Sequence, residues 1–252
     1  MNLSLENKVI IVSGGARGIG EGIVKTLLAE KAIPVVIDQR MSSIEGVKTI
    51  QADLTNPAAC ATAIEKIAKE FGTIDGLVNN AGVNDSVGLE SGSHEAFTES
   101  IQRNLTHYYL MAHHALAALK KSKGAIVNIG SKTAFTGQGG TSGYAAANGG
   151  RNALTREWAV ELLPYAIRVN CVVVAESFTP LYEKWINTFD NKDEKLAAIT
   201  NKIPLEKRMT TTEEIANTVA FLLSERSSHT TGQLIYVDGG YTHLDRALNA
   251  NN

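Results

Sequence analysis

The glycines at positions 14, 18 and 20, in the run Ser13-Gly14-Gly15-Ala16-Arg17-Gly18-Ile19-Gly20, are spaced for chemistry. They let a backbone turn tightly and bring N–H groups against a pyrophosphate, and a helix starting there offers its positive N-terminal end to the same anion. The spacing is G-x-x-x-G-x-G; alone it is weak evidence, with a bare turn as its alternative, and a strand before it and a helix after it give it meaning. Asp38, eighteen residues after Gly20, is an acid of the kind that accepts hydrogen bonds from both hydroxyls of an adenosine ribose and repels a 2′-phosphate. A solvated strand-end acid is its alternative. Arg17 and Arg40 could each neutralise a phosphate, but the balance favours NAD over NADP. Asp53, within Ala52-Asp53-Leu54, is expected at the end of a third strand, where it could accept a hydrogen bond from the adenine amino group.

The hydrophobic pattern supplies elements to position these residues. Lys8 to Val12 is a short apolar run ending at the glycines, and a helical pattern follows through Ile23, Leu27 and Leu28, giving strand, glycine turn, helix. Pro34 to Asp38 reads as a second strand and Val47 to Gln51 as a third. The connection between them is short for a crossover helix and is expected to hold only a turn of one. Residues 57–71 carry Ala61, Ile64, Ile67, Ala68 and Phe71 at helical spacing, and Ile74 to Val78 reads as a strand closing at Asn79-Asn80-Ala81-Gly82. A long helix is expected over about 93–120 and another over 143–163. Further strands are expected at Ala125 to Ile129, Ile167 to Val174 and Leu234 to Val237. Residues 179–209 read as an irregular or helical excursion, a candidate substrate lid. Strand–helix alternation with continuously apolar strands indicates an α/β fold, a parallel sheet covered on both faces. No linker, charge block or internal repeat divides residues 1–252, so one domain is expected.

Composition narrows the partners. The 252 residues are 44% hydrophobic and 20% charged, enough to bury a sizeable core. Lys and Arg total 24 against 26 Asp and Glu, a net charge of −2, which argues against a nucleic-acid partner. Two cysteines, Cys60 and Cys171, cannot build a disulfide framework or a four-ligand zinc site. Neither an apolar signal core nor a stretch of about 18 apolar residues is present, so no membrane partner and a cytoplasmic location are expected.

Taken together, the glycine run, Asn79-Asn80-Ala81-Gly82, Asn104, Ser131, Tyr144 and Asp238-Gly239-Gly240 resemble the short-chain dehydrogenase/reductase family over essentially the whole chain. The resemblance implies a doubly wound Rossmann-type sheet of about seven strands, nicotinamide chemistry, and a homotetramer or homodimer built on the two long helices. It places Gly14, Arg17, Gly18, Ile19, Gly20, Asn80, Ala81 and Gly82 along the cofactor, and Thr179 at the nicotinamide carboxamide. A narrower similarity, to L-fucose dehydrogenase-type sugar dehydrogenases, runs through Asn80 to Asp85, Arg103 to Tyr109, Ser131 to Ala134, Thr155 to Val160 and the tail Gly240 to Leu248. It implies oxidation of the anomeric hydroxyl of an aldose to a lactone. Another polyol or cyclic alcohol is the alternative substrate.

On the family pattern Tyr144, thirteen residues after Ser131, is the base for the hydroxyl proton, Ser131 holds the reacting oxygen, and Asn104 anchors a water. A free phenol has a pKa of about 10 and is a poor base near neutrality. The family answers this with a lysine four residues later; here that position is Asn148, and no lysine lies between Lys132 and Lys184. A unit charge about 4 Å away is worth roughly 4 kcal/mol at an effective dielectric near 20, or up to about three pKa units. Asn148 could still hydrogen-bond the nicotinamide ribose but supplies no charge. Three explanations stay open: a weakened enzyme with an otherwise intact site, rescue by Arg151 or Lys132, or a catalytically inactive NAD- or sugar-binding protein. Weak turnover near neutral pH, rising toward alkaline pH, is the expectation. A second departure replaces the family's Pro-Gly after the sixth strand with Val174-Ala175, which leaves the path of the following loop open.

Sugar recognition needs polar partners for hydroxyls and an apolar face for the ring. Asn84, Asp85, Gln138, Thr141 and Glu176 are the candidate hydroxyl partners; Tyr182, Trp185 and Phe189 could supply the face or simply pack on the core. His107, His113 and His114 share one expected helix, and the tandem pair points in different directions, so packing or surface roles are expected and no metal. Cys171 reads as a small buried strand residue and the charges of 190–208 as a solvated face.

Overall fold

The computed structural model describes residues 2–244, so Asp245 to Leu248 of the sugar-dehydrogenase-like tail lie outside the described residues. Seven strands form one sheet: β1 (Val9–Ser13), β2 (Ile33–Asp38), β3 (Lys48–Gln51), β4 (Gly76–Asn79), β5 (Ala125–Ser131), β6 (Arg168–Val174) and β7 (Leu234–Val237). Their order is β3-β2-β1-β4-β5-β6-β7, and every pair is parallel. β1, β4 and β5 are buried along their whole length, as strands covered on both faces must be.

The covering helices divide between the two faces. On one, α1 (Gly18–Ala29) packs with α8 (Thr212–Leu223) through Ile23, Leu27, Ile215 and Val219. The other carries α2 (Pro57–Phe71), α4 (His107–Ser122) and α5 (Ser142–Glu161), with Ile64, Ile67, Tyr108, Met111 and Trp158 in the core. Each such fully buried aliphatic side chain stabilises the fold by about 1.5–3 kcal/mol. Local sequence sets the helix ends. Asn56 accepts from the N–H groups of Ala58 and Ala59 at the start of α2, Pro57 takes its first position, and Gly72 closes it at φ 75°.

After β3 the chain returns past β1 to form β4 on its other side. The sheet therefore has a switch point between β1 and β4, where a crevice opens outside the carboxyl ends of the strands. Ser13, Asp38, Asn79, Ser131 and Val174 end their strands on that side.

The structure departs from the sequence reading in three places. The connection between β2 and β3 holds bends and turns and no helix, because Ser42 and Ile44 are tied by short-range side-chain bonds to Thr49 and Ser42. The single helix expected over 93–120 is α3 (His94–Ile101) and α4 joined through a π turn, Gln102–Thr106. The excursion over 179–209, read as irregular or helical, is helical in part, with α6 (Pro180–Ile186) and α7 (Lys192–Thr200). Finally, α8 is an element the pattern reading passed over, although Thr211 and Glu214 form a full capping box ahead of Ile215, Val219 and Leu222.

Candidate active site

The crevice is a cleft of about 690 Å³. Its floor at one end is the glycine turn. Gly14 (φ 65°) and Gly18 (φ 59°) adopt left-handed backbone, and a Cβ on Gly20 would lie 2.1 Å from the Gly14 carbonyl oxygen, so no side chain fits there. No side chain caps α1, which leaves its first-turn N–H groups for an anion. The turn is sewn to the end of β4: Asn80 Nδ2 donates to the Ser13 and Gly14 carbonyls at 3.0 Å each, and Ser13 Oγ accepts from the Asn80 and Ala81 N–H groups.

Asp38 lines the same end. Its Oδ2 accepts from the Ala16 N–H (3.2 Å) and its Oδ1 from the Arg40 N–H (3.0 Å), so it braces the glycine turn while facing the cleft. Arg17 and Arg40 also line it. Asp53 is there too; the Thr55 backbone N–H and then its hydroxyl hold this carboxyl below the usual carboxylate range. A bare glycine cradle, an uncapped helix end and an acid at the second strand's tip together fit a dinucleotide.

At the other end β5 delivers Ser131 and α5 delivers Tyr144, both lining the cleft. Ser131 Oγ accepts from the Thr133 N–H and lies 3.1 Å from the Thr133 hydroxyl. Asn104 sits behind this wall on the π turn, fully buried, its Oδ1 accepting from the Val83 N–H at 2.7 Å. Its Nδ2 is buried with no acceptor among the described residues. π turns concentrate at functional sites because they re-aim side chains and backbone groups that a regular helix would satisfy internally.

Asn148 does not reach the cleft. It is fully buried, its Nδ2 donates back to the Tyr144 carbonyl (2.9 Å) and its Oδ1 accepts from Arg151 Nη1 (3.1 Å). The expected ribose contact is thus replaced by contacts inside α5. The charge that Asn148 lacks is present on Arg151, which lines the cleft 2% exposed. Its Nε and Nη2 donate to the Asn104 carbonyl (2.8 and 2.5 Å) and Nη1 to the Ile129 carbonyl (3.1 Å). The guanidinium carbon lies 4.3 Å from the Tyr108 ring centre and 5.9 Å from that of Tyr144. A Cβ on Gly82 would stand 2.7 Å from Arg151 Nη2, so only glycine lets the backbone pass there. Lys132, the other candidate for that charge, is engaged elsewhere: its ammonium pairs with Glu176 and stacks on Tyr241.

That pairing also removes Glu176 from the hydroxyl partners; it does not line the cleft. Burial, then the neighbouring Glu176 carboxylate, pushes the Tyr182 phenol up. Asp85 is held by the Ser100 hydroxyl (2.8 Å) and Arg103 (3.5 Å), away from the cleft. Gln138 is exposed on a loop and Thr141 is buried at the start of α5, both outside the lining. Trp185 packs edge-on between Tyr182 and Phe189, also outside it. Asn84, Thr179 and Tyr182 are the sequence-named residues of this group that do line it; Thr179 caps α6 by accepting from the Tyr182 N–H.

Ser177, Arg103 and His107 also line the cleft, although none of them was expected there as a site residue. Ser177, two before Thr179, places a buried hydroxyl there that has no partner among the described residues. Arg103 and His107 flank Asn104 four residues apart, a spacing that shares one helix face and was the available signal. His107 Nε2 lies 3.0 Å from the Arg103 carbonyl, so the neutral ring carries its proton on Nε2. Burial, and then the Arg151 guanidinium, push its pKa down to about 3.

A family model described as "Enoyl-(Acyl carrier protein) reductase" matches residues 14–242. The 3-oxoacyl-(acyl-carrier-protein) reductase FabG of Escherichia coli (strain K12) is 33% identical over 247 residues, covering 94% of this chain and 98% of the relative. L-fucose dehydrogenase of Bos taurus is 32% identical over 248 residues, covering 95% and 91%. Among solved structures, that of Cj0485 dehydrogenase superposes with a TM-score of 0.95 at 44% identity, covering 98% of each chain.

Proposed function

The chain belongs to the short-chain dehydrogenase/reductase family of oxidoreductases, and from that premise we propose that it oxidises the anomeric hydroxyl of an L-fucose-like aldose to a lactone with NAD. One observation carries the reading. Ser131 and Tyr144 share a single cleft with the glycine turn and Asp38, so a reacting hydroxyl and a dinucleotide have room side by side. The similarity to L-fucose dehydrogenase supports the substrate class.

Gly14, Gly18 and the α1 N-terminus would hold the pyrophosphate, and Asp38 would accept hydrogen bonds from the ribose hydroxyls, which favours NAD. A bound oxidised nicotinamide would supply the acceptor for hydride from the carbon bearing the hydroxyl. Tyr144 Oη, in its ionised form, takes the hydroxyl proton, while the Ser131 hydroxyl donates to the reacting oxygen and fixes its position. Tyr182, Asn84 and Ser177 offer polar contacts to the remaining hydroxyls. A homodimer or homotetramer is part of this reading, read by light scattering after size exclusion. Among the described residues no helix is long and apolar enough to cross a membrane.

The test is NADH formation from L-fucose, D-arabinose and L-galactose, expected in the wild type and lowered by at least about 100-fold in Tyr144→Phe through loss of the base. Oxidation of cyclic alcohols but no aldose would move the substrate class. The likeness to FabG favours a second reading, the reverse chemistry on a 3-oxoacyl thioester. Reduction of acetoacetyl-CoA, with no aldose oxidised, would select it.

A further inference from the structure

We propose that Arg151 supplies, through Tyr144, the positive charge that a lysine at position 148 would have supplied, held one helical turn further along α5 on a frame of backbone carbonyls. The proposal rests on the reading of Tyr144 as the base.

Arg151 is a buried cation with neutral ligands only. Its four hydrogen bonds go to the Asn104 carbonyl (two), the Ile129 carbonyl and Asn148 Oδ1. Among the described residues no carboxylate pairs with it. Burying a cation without a counter-ion carries a desolvation cost that a neutral donor at the same place would not. A guanidinium without a counter-ion keeps its field, and that field falls on the wall of the cleft.

The titratable groups around it do not cancel it. His107 and Tyr108 face it from α4, Cys171 from β6 and Tyr144 from its own helix. His107 is pushed down to about 3 by burial first, so it is neutral. Burial pushes the Cys171 thiol up to about 12 and raises the Tyr108 phenol, whose hydroxyl donates to the Ile129 carbonyl; both keep their protons. Of these four, Tyr144 is the group whose phenol the proposed reaction ionises, and its ring centre lies 5.9 Å from the guanidinium carbon. An arginine also never loses its proton in this range, which a buried lysine can. The geometry around it is built for this: the π turn presents the Asn104 carbonyl, and Gly82 alone lets the chain pass the guanidinium.

Two readouts test the proposal. The first is ultraviolet titration of tyrosinate in the protein without cofactor, with the contribution of Tyr144 identified as the absorbance lost in Tyr144→Phe. The second is the pH profile of aldose oxidation. With the guanidinium carbon 5.9 Å from the centre of the Tyr144 ring, a unit charge at about that distance predicts that Arg151→Met moves both upward by about one to two pH units. Turnover should fall about 10- to 100-fold near pH 7 and converge with the wild type near the reference phenol value of about 10. If Arg151→Met does not fold, Arg151→Val with Asn148→Lys relocates the charge instead. Because a lysine at 148 is the nearer charge, a downward displacement of at most about two pH units in that protein supports the proposal, and one of about three units, the full effect of a lysine added to an uncharged site, overturns it. A folded Arg151→Met with an unmoved Tyr144 titration also overturns it. Full turnover by Tyr144→Phe would instead refute the base assignment, while the cofactor-free titration still decides what Arg151 does.

Discussion

Restoring the lysine by itself should damage this protein. In Asn148→Lys an ammonium enters a fully buried position whose present side chain accepts from Arg151 Nη1 at 3.1 Å and donates to the Tyr144 carbonyl. Two like charges about 4 Å apart repel by roughly 4 kcal/mol at an effective dielectric of 20, and relaxation of a flexible ammonium removes about half of that. Losing the Arg151–Asn148 hydrogen bond adds about 1 kcal/mol. The sum, about 3 kcal/mol, corresponds to a fall in melting temperature of about 6–12 °C for a domain of this size. The deficit carries a sign in pH. The crowded amine has a folded-state pKa below its unfolded value of about 10.4, so between the two the unfolded chain binds more protons. The deficit is then complete below the folded pKa and fades as pH rises through 10.4, about the lysine reference. Differential scanning calorimetry near pH 7 and near pH 9.5 reads both effects, and adding Arg151→Val should recover more than half of the loss as a coupling between neighbours. An Asn148→Lys protein melting at or above the wild type near pH 7 refutes the reasoning.

Gly20→Ala drives a methyl group onto the Gly14 carbonyl and should weaken NAD binding at least about tenfold, about 1.4 kcal/mol, in an NADH fluorescence titration. Asp38→Ser removes a charged acceptor worth about 1.5–3 kcal/mol, so NAD affinity should fall about 10- to 100-fold and the NADP-to-NAD preference should rise in the same titration. Glu176→Gln leaves the buried Lys132 ammonium unpaired and should cost about 3–5 kcal/mol in urea unfolding. His107 is held neutral in the fold, with its pKa lowered to about 3 against 6.5 for the free side chain. Its contribution to stability is complete above 6.5 and is lost as pH falls toward 3, at up to about 1.4 kcal/mol per pH unit. Urea titrations of wild type and His107→Gln at several pH values in that window should show the variant with the shallower slope.

What the sequence made legible is what local chemistry dictates. Gly14, Gly18 and Gly20 announce a turn that no other residue can make, and Asp38 ends an apolar strand at the distance a βαβ unit sets. Ser131, Tyr144 and the anomaly at 148 are legible through the resemblance to the family's pattern, whose spacing they keep. Pairings between elements remote in the chain are what spacing cannot display. Glu176 and Asp85 read as free hydroxyl partners until Lys132 and Arg103 are seen against them. Arg151 could be named as a substitute cation, but its setting depends on a carbonyl that only the π turn frees. The omission of α8 has a different origin: its capping box and apolar spacing were in the sequence, beyond an excursion whose irregularity masked the return of helical periodicity.

The π turn at Gln102–Thr106 also sets the phase between the two halves of a long helix. Wound to a π turn, these five residues absorb one residue more than an α-helical stretch of the same rise would. Excising one of them other than Asn104 would let the segment rewind as α-helix with α3 and α4 left in nearly the same phase, since five residues at the π pitch turn about as far as four at the α pitch. The contact of Ser100 with Asp85 would survive such a deletion, while the Asn104 carbonyl that Arg151 holds would be drawn back into the regular helical ladder. A one-residue deletion here should therefore spare the fold and strike the site.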